Sequence, residues 1–192
     1  RAVTLGWPPF AVPSPDFSRA NVRVLLPLAA ISESNQWMKR STIGWTLVAA
    51  QVVLFVVLAL LPWRPPTLPS LICCAVLVVA GLALALSAAR RLGGALTATP
   101  VPIEGAGLRT TGAYRFVRHP IYSALLLVTL GLLVGFGTAW SWAWGLVIVL
   151  FFWIKSRWED TLLHEEYGAP WEAWARTTGG LVPRPHRRRE AT

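Results

Sequence analysis

Charge is scarce in this sequence: Asp, Glu, Lys and Arg make up only 14% of its 192 residues, against 54% hydrophobic residues. That share is too small to cover a soluble globule of this length in the usual proportion, which argues against a water-soluble helical protein. Acids are rarer than bases, 9 against 18, yet the resulting net charge of +9 needs no nucleic acid to explain it, because the bases gather at particular points along the chain. Cysteine is nearly absent. The two present, Cys73 and Cys74, are adjacent inside an apolar run, a poor arrangement for a disulfide or a metal site, so they are expected to face lipid or to pack, and no metal is expected. Methionine occurs once, at Met38, and no internal repeat is evident.

The sequence is rich instead in blocks of apolar residues that show no amphipathic period. Residues 43–61 are interrupted only by Thr46 and Gln51 as clearly polar groups, and residues 71–89 only by the cysteines and Ser87. Each is long enough to cross a hydrocarbon core of roughly 30 Å at about 1.5 Å per residue. A third block, 121–139, runs almost directly into a fourth, 140–154, with Gly135, Gly137 and Ser141 marking a tight hairpin. The expectation is an all-α polytopic membrane protein with about four transmembrane helices.

Basic residues flank these blocks on one side. Lys39 and Arg40 precede the first, Arg90 and Arg91 follow the second, Arg109, Arg115 and Arg118 precede the third, and Lys155 and Arg157 follow the fourth. Arg64 is the only base in the opposite loops. By the positive-inside pattern both ends of the four-span unit and its long middle loop face the cytoplasm, and the protein is expected in the cell (plasma) membrane. Trp63, Trp140, Trp142 and Trp144 then anchor the far interface.

Residues 1–37 are proline-rich and polar with no spanning run, and Met38 with Lys39 and Arg40 before a span resembles a start site, so 1–37 is expected to be an unstructured extension. Residues 38–183 form the membrane domain, and 184–192 a basic tail suited to anionic headgroups. The loop 90–119 carries Gly93, Gly94, Pro100, Pro102, Gly105, Gly107 and Gly112, and loops of this length are usually functional or disordered. Residues 155–174 are polar and helix-compatible, with a break expected at Gly168 and a restart at Pro170.

Two constellations stand out against this background. The first, residues 111–122, sets Tyr114, Arg115, Arg118, His119 and Tyr122 around Pro120, which suits the first turn of a helix. A helix N-terminus favours an anion there, and two arginines reinforce it. The second begins as the fourth block ends: Lys155, Arg157, Glu159 and Asp160, then His164, Glu165, Glu166, Tyr167, Gly168, Trp171 and Trp174. On one continuous helix Asp160, His164, Tyr167, Trp171 and Trp174 would form a single stripe. Acids this close to hydrocarbon are costly unless paired, and Arg157 and the arginines of the first constellation are the nearest partners, which would draw the two segments into one pocket. Glu165, Glu166 and Glu172 are read as solvated.

Together these residues resemble the isoprenylcysteine carboxyl methyltransferase and phospholipid methyltransferase family. Its first motif matches Gly112, Ala113, Tyr114, Arg115 and then Arg118, His119, Pro120, Ile121, Tyr122. Its second matches Glu159, Asp160, Leu162, Leu163, Tyr167, Gly168, Trp171 and Trp174. The likeness covers roughly residues 92–183. It implies an S-adenosylmethionine-dependent methyltransferase, with the donor at the cytoplasmic face and a lipophilic or small acceptor (carboxylate, thiol or amine) that reaches the site from the bilayer. It further implies catalytic roles for Arg118, His119 and Glu159, and donor binding by Tyr114, Arg115, His119, Pro120, Tyr122, Glu159 and Tyr167. Three departures stand out: Ala113 replaces a usual proline, Ala124 a frequent glycine, and Asp160 a second glutamate of longer reach. NADPH-dependent sterol and steroid reductases share an Arg-His-Pro-x-Tyr segment. They typically carry asparagine at the variable position and a Gly-Glu pair after the tyrosine, and Ile121 with Ser123, Ala124 and Leu125 provides neither. The third alternative is a non-enzymatic membrane scaffold.

Overall fold

The computed structural model is helical throughout the residues it describes, which are 17–97, 99, 101 and 107–184, with side chains over 38–94, 96, 97, 99, 101 and 107–184. The chain divides into two compact units, Arg1–Arg40 and Ser41–Thr192. Of the first, the described part is the opening of helix α1 (Phe17–Leu60). Residues 17–37, expected to belong to an unstructured extension, are helical and open α1, while residues 1–16 lie outside the described residues, as do 185–192 of the basic tail and Pro100, Pro102 and Gly105 of the loop.

Among the described residues three helices are long and apolar enough to cross a membrane: Met38–Leu60 within α1, α2 (Leu68–Leu92) and α4 (Ala139–Tyr167). The expected third span is α3 (Pro120–Phe136), apolar but only 17 residues long, about 25 Å at 1.5 Å per residue. The protein is therefore an integral membrane protein of about four apolar helices, one of them short. Valines and leucines such as Val53, Val79, Leu146 and Leu150 are exposed on the helices, the inverse of a soluble protein and the arrangement a hydrocarbon solvent rewards.

Local chemistry explains the ends of these helices. Thr67 and Ser70 cap α2 reciprocally: Ser70 N–H donates to Thr67 Oγ1 at 3.4 Å, and Thr67 N–H to Ser70 Oγ at 3.0 Å. Pro120 opens α3, and Thr138 caps α4 through Ser141 N–H, so only Gly137 and Thr138 separate α3 from α4, the tight hairpin expected. At this end Arg64 donates to the carbonyls of Gly137 (3.0 Å) and Val134 (3.3 Å), and its backbone N–H to Phe136 O (2.9 Å). The lone base of the far loops thus satisfies the last carbonyls of α3.

Close packing ties α3 to α2. A Cβ on Gly81 would lie 2.8 Å from Val128 Cγ2, and one on Gly135 would lie 2.9 Å from Cys74 Cβ, so both glycines are needed for the approach. Both cysteines are free: Cys74 is buried against Gly135 and Cys73 is exposed, one packing and one outward-facing residue. Leu58 of α1, Leu133 of α3 and Ile148 and Phe152 of α4 form the central core, and Trp144 Nε1 donates to Leu54 O at 2.9 Å.

α4 does not stop where the apolar block does. About 20 of its residues suffice to cross roughly 30 Å. Its remaining turns, from about Glu159, extend past that length, and there the helix carries the acids. It ends at Gly168, whose φ of +55° also starts α5 (Ala169–Thr177). The break interrupts the expected single stripe: exposed His164 meets Glu172 across the bend at 2.7 Å and packs edge-on against Trp171 with centroids 5.3 Å apart, while Trp174 donates to Tyr114 O.

Candidate active site

Arg118 and His119, the last two residues before α3, are positioned by the chain that follows α5. Residues 178–181 fold back against them: Arg118 N–H donates to Gly179 O at 2.8 Å, His119 N–H to Gly180 O at 3.2 Å, and Ser123 Oγ to Leu181 O at 2.6 Å. Backbone groups close this seam, and backbone hydrogen bonds leave no side-chain signature in a sequence.

Asp160 is the hub. Arg118 donates to it through Nε (3.1 Å) and Nη2 (2.7 Å), a two-point grip on one carboxylate, and His119 Nε2 lies 3.0 Å from Oδ1. Arg118 Nη1 donates to Thr178 O (2.8 Å) and Ala175 O (3.2 Å), and Trp171 lies under the guanidinium at 5.7 Å. Arg118 therefore spends its donors on holding α5 and the folded-back segment to α4. Asp160, which a shortened reach seemed to demote, is fully engaged in structure. Arg157, an expected partner for the acids, is exposed and makes no ion pair among the described residues.

His119 is 4% exposed, and its ring stacks on Tyr122 with centroids 5.5 Å apart. Its second nitrogen, Nδ1, lies 3.5 Å from Glu159 Oε2, so both ring nitrogens face carboxylates, Nε2 at hydrogen-bond distance and Nδ1 at ion-pair distance. Burial by itself would lower the imidazole pKa. The carboxylates of Glu159 and Asp160 outweigh it and push the pKa up from 6.5 to about 9. At neutral pH His119 is an imidazolium and is not available as a base. The anion that the N-terminus of α3 favours is thus supplied by the chain's own acids. Burial, followed by the Glu159 charge, raises the Tyr114 phenol well above its usual range, so Tyr114 remains neutral.

Glu159 differs from its neighbour. Its Oε2 is enclosed and makes no hydrogen bond among the described residues, with His119 Nδ1 3.5 Å away. Glu159 is one of the residues around a cavity of about 340 Å³ whose wall also includes Tyr114, Arg118, His119, Pro120, Tyr122 and Tyr167. All the expected site residues but one therefore converge. The exception is Arg115, which is exposed beside Phe116, 5.6 Å from its ring, and is not on the cavity wall. Trp174 supports the wall from behind, donating Nε1–H to Tyr114 O at 3.2 Å.

Of the charged and amide side chains on the wall, Gln51, Arg109 and Lys155 were not named as site residues, although Lys155 opens the second constellation. A signal for Lys155 was present in its position four residues before Glu159, on the same helix face. For Gln51 it was the interruption of an apolar run. Arg109 carried no local signal beyond its charge.

Fold and site together define a polytopic membrane protein with a charged, enclosed cavity at one end of its helices. The chain belongs to the phospholipid methyltransferase family, whose model matches residues 69–170, from the first turn of α2 to Pro170 of α5, across the first motif and the second as far as Gly168. It is a membrane methyltransferase. Members of the family generally use S-adenosylmethionine. No curated protein matches the chain.

Proposed function

We propose that the charged end of the cavity binds S-adenosylmethionine and that its apolar end, walled by Val48, Val101, Leu125 and Leu163, admits a lipophilic or small methyl acceptor from the bilayer. The observation that supports this reading is Glu159 Oε2, a buried carboxylate oxygen that makes no hydrogen bond among the described residues, on a residue that lines the cavity of a methyltransferase-family chain. A carboxylate oxygen left in that state is costly unless a ligand completes it, and the donor's amino and ribose groups carry suitable hydrogens. When bound, the donor supplies a methyl group on a sulfonium, open to in-line displacement by a nucleophile.

The residues of the chain then have distinct roles. Glu159 accepts hydrogen bonds from the donor, and His119 holds Glu159 in place through its positive charge. Tyr114, Pro120, Tyr122 and Tyr167 shape the wall and exclude water. Arg118, bonded to Asp160 and to two carbonyls, is a positioning residue that keeps His119 and α5 in register. The basic residues at this end of the helices favour the cytoplasmic face of the plasma membrane by the positive-inside rule. The acceptor range is that of an isoprenylcysteine carboxyl methyltransferase-like enzyme: a carboxylate, thiol or amine on a lipophilic or small molecule.

Thermal unfolding of the detergent-purified protein tests the assignment, because a ligand stabilises only the protein that binds it. S-adenosylmethionine raises the melting temperature and NADPH does not. The stabilisation is lost in Glu159→Ala. Stabilisation by NADPH alone would replace this reading with a reductase, and stabilisation by neither would leave the scaffold.

A further inference from the structure

Lys155 is the second unmatched charge of the cavity. It is 2% exposed, on a helix that crosses hydrocarbon. Its Nζ donates to Gln51 Oε1 at 2.7 Å and lies 5.1 Å from the Tyr122 ring and 5.9 Å from the Phe151 ring. An ammonium has three donors, and among the described residues only this one hydrogen bond, to a neutral amide, is made. No carboxylate lies within ion-pair distance of it among those residues. Buried charges are normally paired, and a cation in a membrane interior that lacks an anion marks a functional position.

The surrounding charges point the same way. Asp160 is engaged with Arg118 and His119, and Glu159 faces His119, so the two acids balance Arg118 and His119 and leave Lys155 in excess. Arg109, also on the wall, adds to that excess. A sulfonium at the Glu159 end would not relieve it, and the donor's own carboxylate is the competing anion: loss of donor binding in Lys155→Met would assign Lys155 to the donor and overturn the inference. We infer that Lys155, held by Gln51, is the specificity-determining residue for the acceptor and takes an anionic oxygen, carboxylate or phosphate, on an amphiphile whose chain lies along the apolar wall. This inference rests on the methyl-transfer reading of the same cavity. It orients the acceptor from the α1–α4 side while Glu159 holds the donor, four residues further along α4.

Binding measured without the donor separates the two readings. The purified protein in uncharged detergent is titrated with a long-chain carboxylate, a long-chain phosphate monoester and the corresponding neutral alcohol, and S-adenosylmethionine binding is measured independently. The expected result is preference for one or both anionic amphiphiles over the alcohol by at least about tenfold, as charge-assisted hydrogen bonds warrant. Which anion wins identifies the carboxylate or phosphate source. Lys155→Met removes the preference and retains donor binding, Lys155→Arg preserves the preference, and Gln51→Leu, which removes the tether and keeps the charge, retains it in part. Replacing a buried charge by an apolar residue of similar volume is often neutral or stabilising, so Lys155→Met is expected to fold. Equal binding of alcohol and anions by the parent, or an undiminished preference in folded Lys155→Met, overturns the inference whatever the donor result. A Lys155→Met protein that fails to fold while Lys155→Arg folds without any anion preference overturns it too, by reducing Lys155 to a structural tether.

Discussion

Glu159 and Asp160 are neighbours on α4 with the same charge, and the protein uses them in opposite ways. Asp160 is buried in a closed cluster in which Arg118 and His119 satisfy both of its oxygens and two backbone carbonyls complete the arginine. Glu159 lines the cavity, and its Oε2 makes no hydrogen bond among the described residues. Successive residues on a helix point about 100° apart, so the two acids reach His119 from different sides, and only Asp160 also meets Arg118.

The largest expected effect comes from the closed side. Asp160→Ala leaves the Arg118 guanidinium buried without its anion and should cost about 3–5 kcal/mol. Thermal or denaturant unfolding in detergent would show a large drop in stability, and an unchanged melting temperature would mean that the cluster is not the structural hub. Glu159→Ala should act mainly on the ligand. Its unfolding in the absence of ligand is destabilised less than that of Asp160→Ala, since His119 loses one of its two facing charges while Arg118 keeps its partner, and donor affinity measured calorimetrically falls by about 10–100-fold, the range expected for hydrogen bonds to a charged group.

Smaller and more diagnostic is the response to pH. His119 is held at a raised pKa by the acids on either side, so its contribution to stability is fully present below 6.5 and is lost as pH rises through about 9. The melting temperature of the parent should fall across that alkaline window. Because the Glu159 charge is the largest of the effects raising this pKa, Glu159→Gln should move the fall to lower pH. An alkaline profile identical in parent and variant would uncouple His119 from the ligand side. The smallest effect is expected at Arg115, exposed and off the cavity wall: Arg115→Ala should alter donor affinity by no more than about twofold, the scale of a surface substitution.

Much of the fold was legible in the residue pattern. Apolar blocks marked the helices, Gly135, Gly137 and Ser141 the hairpin, and Gly168 with Pro170 the break between α4 and α5. The short α3 and the long α4 were less so, because the hydropathy pattern reports where hydrocarbon ends and a helix continues for as long as its backbone bonds do. At the site, both motifs were readable, since helix-terminus chemistry and the cost of acids near hydrocarbon are local arguments, and all the donor-binding candidates except Arg115 lie on the wall of one cavity. Arg115 was indistinguishable from Arg118 by type and differed only in which way the turn at Gly112–Arg115 directed it. Gln51 and Lys155 sit 104 positions apart, and nothing short of the packing of α1 on α4 joins them.

By itself, then, the sequence determined that the chain is a helical membrane protein of a methyltransferase family and which short segments carry its chemistry. It did so because hydrophobic length, charge scarcity and motif spacing are properties of contiguous residues. Only the tertiary structure decided which acid is satisfied and which is left for a ligand, and that a lysine in the hydrocarbon zone faces the same cavity. Local spacing sets the angle between neighbouring side chains. What fills each direction is supplied by segments far away in the chain, here the carbonyls of residues 178–180 and the amide of Gln51.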